Sequence, residues 1–278
     1  FWARDPDGSP EDRLEGELNF FDPGLGGAYA GSVNMQPHIA NEVTQVMYDL
    51  NSFSEEIIAL REQKRPLRLF YSETSAINTA DYMTETGKLY KSLFFENLPL
   101  GFVTKNIIEK QDNSAWNTVL VHKTKYVTDD EFDALQTFLN NGGTVILDAD
   151  ESLSLNEYGK ERRQKLSAGE GQLKVLNSYD LESLKKAALE SVADQMPPVQ
   201  IVADNGKDFK TTISRVVTQE DGSYLVNLLN VGHTTTKIKL QLTSGEAIWI
   251  TDLMTNNAVE TEFDLPSEGV LLVEVKKK

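Results

Sequence analysis

The sequence predicts an α/β unit followed by an all-β unit, with the tail of another domain in front of both. Three observations carry this reading. Between Pro66 and Val192, short apolar strand-like runs alternate with amphipathic helical stretches, the pattern of a mostly parallel sheet with helices on both faces. From Val199 onward the apolar runs have period two and turn signals recur about every 8 to 12 residues, as in an antiparallel sandwich. Ahead of Pro66 there is loop and helix but no strand set that would close a core of its own.

The leading segment, residues 1–65, contains a stretch from Phe20 to Asn34 punctuated by Gly24, Gly26, Gly27 and Gly31, which reads as a surface loop. From His38 to Glu62 the residues Ile39, Val43, Val46, Met47, Leu50, Ile57, Ile58 and Leu60 recur at helical spacing. This predicts one amphipathic helix, or two abutting ones broken near Asn51-Ser52, ending before Pro66. An apolar stripe needs a surface to pack on, so the segment is expected to be the tail of a domain whose bulk lies upstream. The missing initiator Met at Phe1 agrees with that expectation.

Residues 66–196 form the α/β unit. Leu67 to Tyr71 and Gly101 to Thr104 read as strands, with helix from Ile77 to Phe95 between them. Thr118 to His122 is a buried strand, and Thr128 with Glu131 makes a capping box that starts a helix running to Asn141-Gly142-Gly143. Thr144 to Asp148 is the next strand, another lies near Leu173 to Leu176, and a final helix covers Leu181 to Val192. This layout is Rossmann- or flavodoxin-like, and similar to the class I glutamine amidotransferases, whose chemistry needs a Cys that this chain lacks. A scaffolding role is therefore expected for it.

At Met196-Pro197-Pro198 the pattern changes, and residues 197–278 form the sandwich. Its strands include Thr212 to Val217, Tyr224 to Asn230, Lys237 to Leu242, Ala247 to Ile250 and Val270 to Val275. Trp249 is expected in the core; exposed, it would present an aromatic face as a carbohydrate-binding module does.

Composition bounds the function. With 278 residues, of which 40% are hydrophobic and 25% charged, the chain is expected to hold about two compact units and part of a third. Twenty-seven Lys and Arg against 43 Asp and Glu give a net charge of −16, which repels phosphate backbones and anionic headgroups, so no nucleic-acid or membrane partner is expected. Zero cysteines exclude disulfides, thiolate metal sites and Cys nucleophiles, and leave the compartment open among cytoplasm, periplasm and secretion. No run reaches the length of a membrane span.

His38, His122 and His233 are scattered without metal-ligand spacing, and neither a nucleophile elbow nor a phosphate-binding Gly loop is present, so no metal and no cofactor is expected. Carboxylate pairs remain, because glycosidic cleavage uses two of them. Glu11, Glu15 and Glu17 crowd one segment near Trp2 and Arg4. By themselves they read as an acidic surface loop; with an aromatic face and a cation beside them they fit a sugar site.

Phe1-Trp2-Ala3-Arg4, followed by Gly8, Glu11 and Gly16, resembles the end of the eighth barrel strand and its loop in family 42 β-galactosidases and their (β/α)8 relatives. Leu69 to Ile77, Val119 to Val121 and Phe138 to Ile146 resemble that family's α/β trimerisation domain, and Asp252 to Thr255 with Leu265 to Val270 its closing sandwich. The resemblance implies that residues 1–65 end a (β/α)8 barrel. It also implies that Trp2, Arg4 and Glu11 bind substrate and that the two catalytic glutamates lie on barrel strands upstream, with no catalytic residue in this chain. Leu14 stands where the family commonly has a His, which widens the expected specificity to agarase, mannosidase or other β-glycosidase substrates. The expected function is thus the C-terminal part of a retaining β-glycosidase acting on β-linked oligosaccharide or polysaccharide, assembled as a dimer or trimer. The alternative is a non-catalytic oligomerisation or carbohydrate-binding protein.

Overall fold

The computed structural model describes residues 37–110, 116–203 and 211–278. The glycine-punctuated stretch 20–34 lies outside them. The chain divides into two compact units, Phe1–Ile58 and Ala59–Lys278. In the first, α1 spans Pro37–Ser52, and α2, Ser54–Arg61, begins there and runs into the second. The break falls at Phe53, yet Phe53 N–H donates to the Asp49 carbonyl and Ile57 N–H to that of Phe53, so the helical ladder carries across it.

The second unit contains a parallel five-stranded sheet. Its strands are β1 Leu67–Phe70, β2 Leu100–Val103, β3 Thr118–Val121, β4 Thr144–Leu147 and β5 Gln172–Val175, in the order β2-β1-β3-β4-β5. Helices α3 Glu73–Asn78, α4 Tyr82–Phe94, α5 Lys105–Lys110, α6 Asp129–Asn140 and α7 Leu181–Ser191 connect or follow them. Successive strand side chains point to opposite faces, so the central strands β1, β3 and β4 each feed two cores. Phe70, Val119, Val121, Val145 and Leu147 pack with Phe132, Leu135 and Phe138 of α6 on one face. Leu67, Leu69, Leu120 and Ile146 pack with Leu89 and Leu93 of α4 and Leu184 of α7 on the other. Each such fully buried side chain stabilises the fold by about 1.5–3 kcal/mol.

Residues from Val199 form two antiparallel sheets. One has the order β11-β10-β13-β8-β7, with β7 Thr212–Thr218, β8 Tyr224–Asn230, β10 Ile248–Asp252, β11 Ala258–Val259 and β13 Val270–Lys277. The other is β12-β9-β6, with β6 Val199–Ala203, β9 Thr236–Leu242 and β12 Glu262–Leu265. Val226, Leu228, Ile250, Val273 and Val275 of the first face Val199, Ile238, Leu240 and Leu265 of the second in one core.

The structure changes three sequence expectations. Helix over Ile77 to Phe95 is two helices, because Thr79 turns extended and Tyr82 dives into the sheet, where its hydroxyl lies 3.1 Å from Ser72 N and 3.3 Å from Phe70 O. The short α5 and the strands β6, β11 and β12 add to the elements expected from the sequence. Trp249 is not in the core: it is 61% exposed, because Ile248 and Ile250 on either side take the inward positions.

The α6–β4 turn is tied by Gly142 N–H to Leu139 O and Gly143 N–H to Phe138 O, while Gly171 N–H reaches Leu139 O at 2.9 Å. A Cβ on Gly171 would lie 2.0 Å from Gly143 O and 2.7 Å from Leu139 O, so only glycine lets β5 approach there. Gly171→Ala is expected to lower the urea midpoint by the equivalent of roughly 1–3 kcal/mol, as overpacking against backbone does; an unchanged midpoint would show that the turn yields freely.

Candidate functional site

Open parallel sheets bind ligands beyond the carboxyl ends of their strands, at the point where strand order reverses. Here that point lies between β1 and β3, after Phe70 and Val121. The residues there are engaged with one another. Ser72 Oγ caps α3 by accepting from Ser75 N and donates to Tyr126 O, and Ser75 Oγ donates to the same carbonyl at 2.6 Å and accepts from Tyr126 N. Tyr82 is wholly buried beneath them, and burial pushes its hydroxyl above the usual tyrosine range.

One strand further on, Asp148 follows β4 with no exposed surface. Its Oδ2 accepts from His122 Nδ1 at 3.0 Å and Lys123 N at 2.6 Å, and its Oδ1 from Ala149 N at 2.8 Å and Ser152 Oγ at 2.5 Å. Four donors fill the four acceptor positions of the carboxylate. Facing the carboxylate, Nδ1 is the ring nitrogen that carries hydrogen, and His122 Nε2 is buried without a partner among the described residues. No lone pair of Asp148 is left to take a proton from a substrate, and Ser152 donates its hydroxyl inward. The cluster works as a clasp that fixes the loops after β3 and β4.

A charged rim surrounds the clasp. Lys123, with φ of 48°, follows β3 and places its Nζ 2.8 Å from Glu85 Oε2, while Lys88 Nζ sits 2.6 Å from Glu85 Oε1. Hydrogen bonds from Lys123 and then Lys88 hold the Glu85 carboxyl down at about 2, from an ordinary 4.5. Burial, with Glu151 and Asp148 nearby, raises the Tyr179 hydroxyl.

Trp2, Arg4 and Glu11, like Glu15 and Glu17, lie outside the described residues. His122 belongs to the clasp, and His233 is exposed, 3.8 Å from Glu268. Among the described residues no group of three or more His, Asp or Glu converges to hold a metal ion, and no helix is long and apolar enough to cross a membrane. Sequence reading missed Asp148, which looked like the last residue of an apolar strand. The one signal for it was a charged residue closing a run of Val, Ile and Leu at the carboxyl end of a parallel strand.

The chain is similar to a crystal structure of the apo family 42 exo-carrageenase of Bacteroides ovatus, with 32% identity and a TM-score of 0.80 over 88% of this chain and 34% of that one. The chain resembles the C-terminal portion of a family 42 glycoside hydrolase. More distant structures share the fold. The β-galactosidase of Bacillus circulans sp. alkalophilus matches with 14% identity and a TM-score of 0.57 over 83% of this chain and 45% of that one. The family 42 β-galactosidase Gan42B matches with 13% identity and a TM-score of 0.56 over 77% and 40%. This family 42-like chain thus spans between a third and a half of each of those proteins. No family model matches it, and no curated protein does.

The low Glu85 pKa makes the rim a pH-dependent element. Its stabilisation is complete above about 4.5, the ordinary value, and is lost as pH falls through about 2. Glu85→Gln is expected to lower the urea midpoint at pH 7 and to flatten the further loss seen in the parent protein between pH 4.5 and 2. Parallel pH profiles for the two proteins would show that Glu85 contributes nothing.

Proposed function

We propose that the chain is the C-terminal part of a retaining β-glycosidase acting on β-linked galactans of the carrageenan type. In this reading residues 1–65 close a (β/α)8 barrel, 66–196 form the assembly domain of a dimer or trimer, and 197–278 are the closing sandwich. The acid/base and nucleophile glutamates stand upstream, while Trp2, Arg4 and Glu11 face the substrate. The observation that carries the reading is the 32% identity to the exo-carrageenase across 88% of the chain, against 13–14% for the β-galactosidases. Leu14, in place of the family's usual His, fits a substrate other than a simple terminal galactoside. On α1 the side chains of Val43, Val46, Met47, Tyr48 and Leu50 are exposed, an apolar surface suited to covering by more of a barrel.

A second reading is favoured by Trp249. Its ring is exposed and carries Lys278 Nζ 4.2 Å from its centroid, an aromatic and cationic surface of the kind that holds a sugar in a non-catalytic binding protein.

Intact mass and light scattering on the native protein, followed by assay on carrageenan oligosaccharides and aryl β-galactosides, separate the two. The glycosidase reading expects roughly 350–450 further residues, enough for a barrel with insertions. It also expects hydrolysis in which Glu11→Gln raises KM about tenfold with a smaller change in kcat. A homogeneous 31.1 kDa species that cleaves neither substrate class would contradict it and leave the binding role.

A further inference from the structure

A cleft of about 440 Å³ runs between the β2 edge of the α/β sheet and the outer face of the β7–β8 sheet, within the range of small-ligand sites. Two hydrogen bonds brace its walls: Gln63 Nε2 donates to Val216 O at 2.7 Å, and Ser214 Oγ to Asn97 Oδ1 at 2.9 Å. On one side Tyr90 stacks on Phe94 with centroids 5.1 Å apart and on Phe102 at 5.4 Å, making a three-ring pile. Phe102 is 42% exposed, so the pile ends in an open aromatic face.

Arg65 and Arg215 line the same cleft. Among the described residues neither is paired with a carboxylate, although the chain carries 43 Asp and Glu. The stem of Arg65 lies over Gly101, where a Cβ would meet its Cδ at 3.4 Å and Arg68 Cγ at 3.5 Å. Burial, and then the charge of Arg65, push the neighbouring Arg68 guanidinium below its ordinary range. Uncompensated guanidinium groups favour a bidentate oxyanion, and an aromatic face favours the C–H face of a pyranose. Asn227, also in the lining, donates from Nδ2 to Leu271 O, and its amide oxygen can accept from a hydroxyl.

We infer that this cleft binds an anionic saccharide, with a sulfate or carboxylate held by Arg65 and Arg215 and a sugar ring set on Phe102. The inference uses none of Trp2, Arg4 and Glu11, so its failure leaves the glycosidase reading standing, and the reverse holds too.

The test is isothermal titration of the 278-residue chain with a sulfated carrageenan tetrasaccharide, a tetragalacturonate and neutral agarotetraose. At least one anionic probe is expected to bind, more weakly as salt rises, and which one binds identifies the anion. Its affinity is expected to fall about tenfold in Arg65→Ala/Arg215→Ala and in Phe102→Ala, and severalfold in Arg215→Lys, which keeps the charge but loses the fork. All the cleft variants change exposed side chains, so retained folding is verified by an unchanged urea midpoint. Binding of neither anionic probe, equal binding of agarotetraose, or affinities unmoved by the arginine and Phe102 variants would overturn the inference.

Discussion

The carboxylate of Asp148, buried at the carboxyl end of β4, imposes the constraint on which the loops above the parallel sheet depend. An ionised group without water costs several kcal/mol unless each of its acceptor positions finds a donor. The donors come from three directions: the ring of His122 and the amide of Lys123 after β3, the amide of Ala149 in the next peptide, and the hydroxyl of Ser152 one turn on. Meeting that demand fixes the path of both loops. With Lys123 held at φ of 48°, its ammonium group is set against Glu85, and the end of β3 is thereby linked to α4.

Beneath this edge the sheet is a partition between two cores. Leu120 faces α4 and α7 while Val119 and Val121 face α6, and Ile146 and Val145 repeat the split one strand over. Four residues suffice for the central strands β1, β3 and β4 because both faces of each are covered. The sandwich solves the same problem with one covered face per sheet, which leaves Trp249 in solvent and frees the outer surface of β7 and β8 to wall the cleft with Arg215 and Asn227.

Local signals were legible in the sequence, and convergent ones were not. The capping box at Thr128 and Glu131 forms as read, with both reciprocal hydrogen bonds, and the strand runs from Leu67 to Leu147 fall where apolar periodicity put them. Trp249 reads as core by its hydrophobicity, but the period-two alternation puts Ile248 and Ile250 inward and Trp249 in solvent. Asp148 and Asn230 were beyond reach for another reason. The Asn230 amide donates to the carbonyls of Thr234, Leu265 and Pro266, and Asp148 collects donors from residues 122 to 152, so neither is marked by local spacing. The Trp2, Arg4 and Glu11 grouping rested on closeness in sequence and on resemblance, and those positions lie outside the described residues.

The hydrogen bonds around Asp148 close the carboxyl edge of the α/β sheet at β3 and β4. Native-state hydrogen exchange of the Lys123 and Ala149 amides, both bound to Asp148, tests this most directly. Both amides are expected to exchange only through an opening as large and as denaturant-sensitive as that of the β3 amides around Leu120. Rapid exchange of Lys123 and Ala149 through a small, denaturant-independent opening would contradict a sealed edge and make the switch point accessible to ligand.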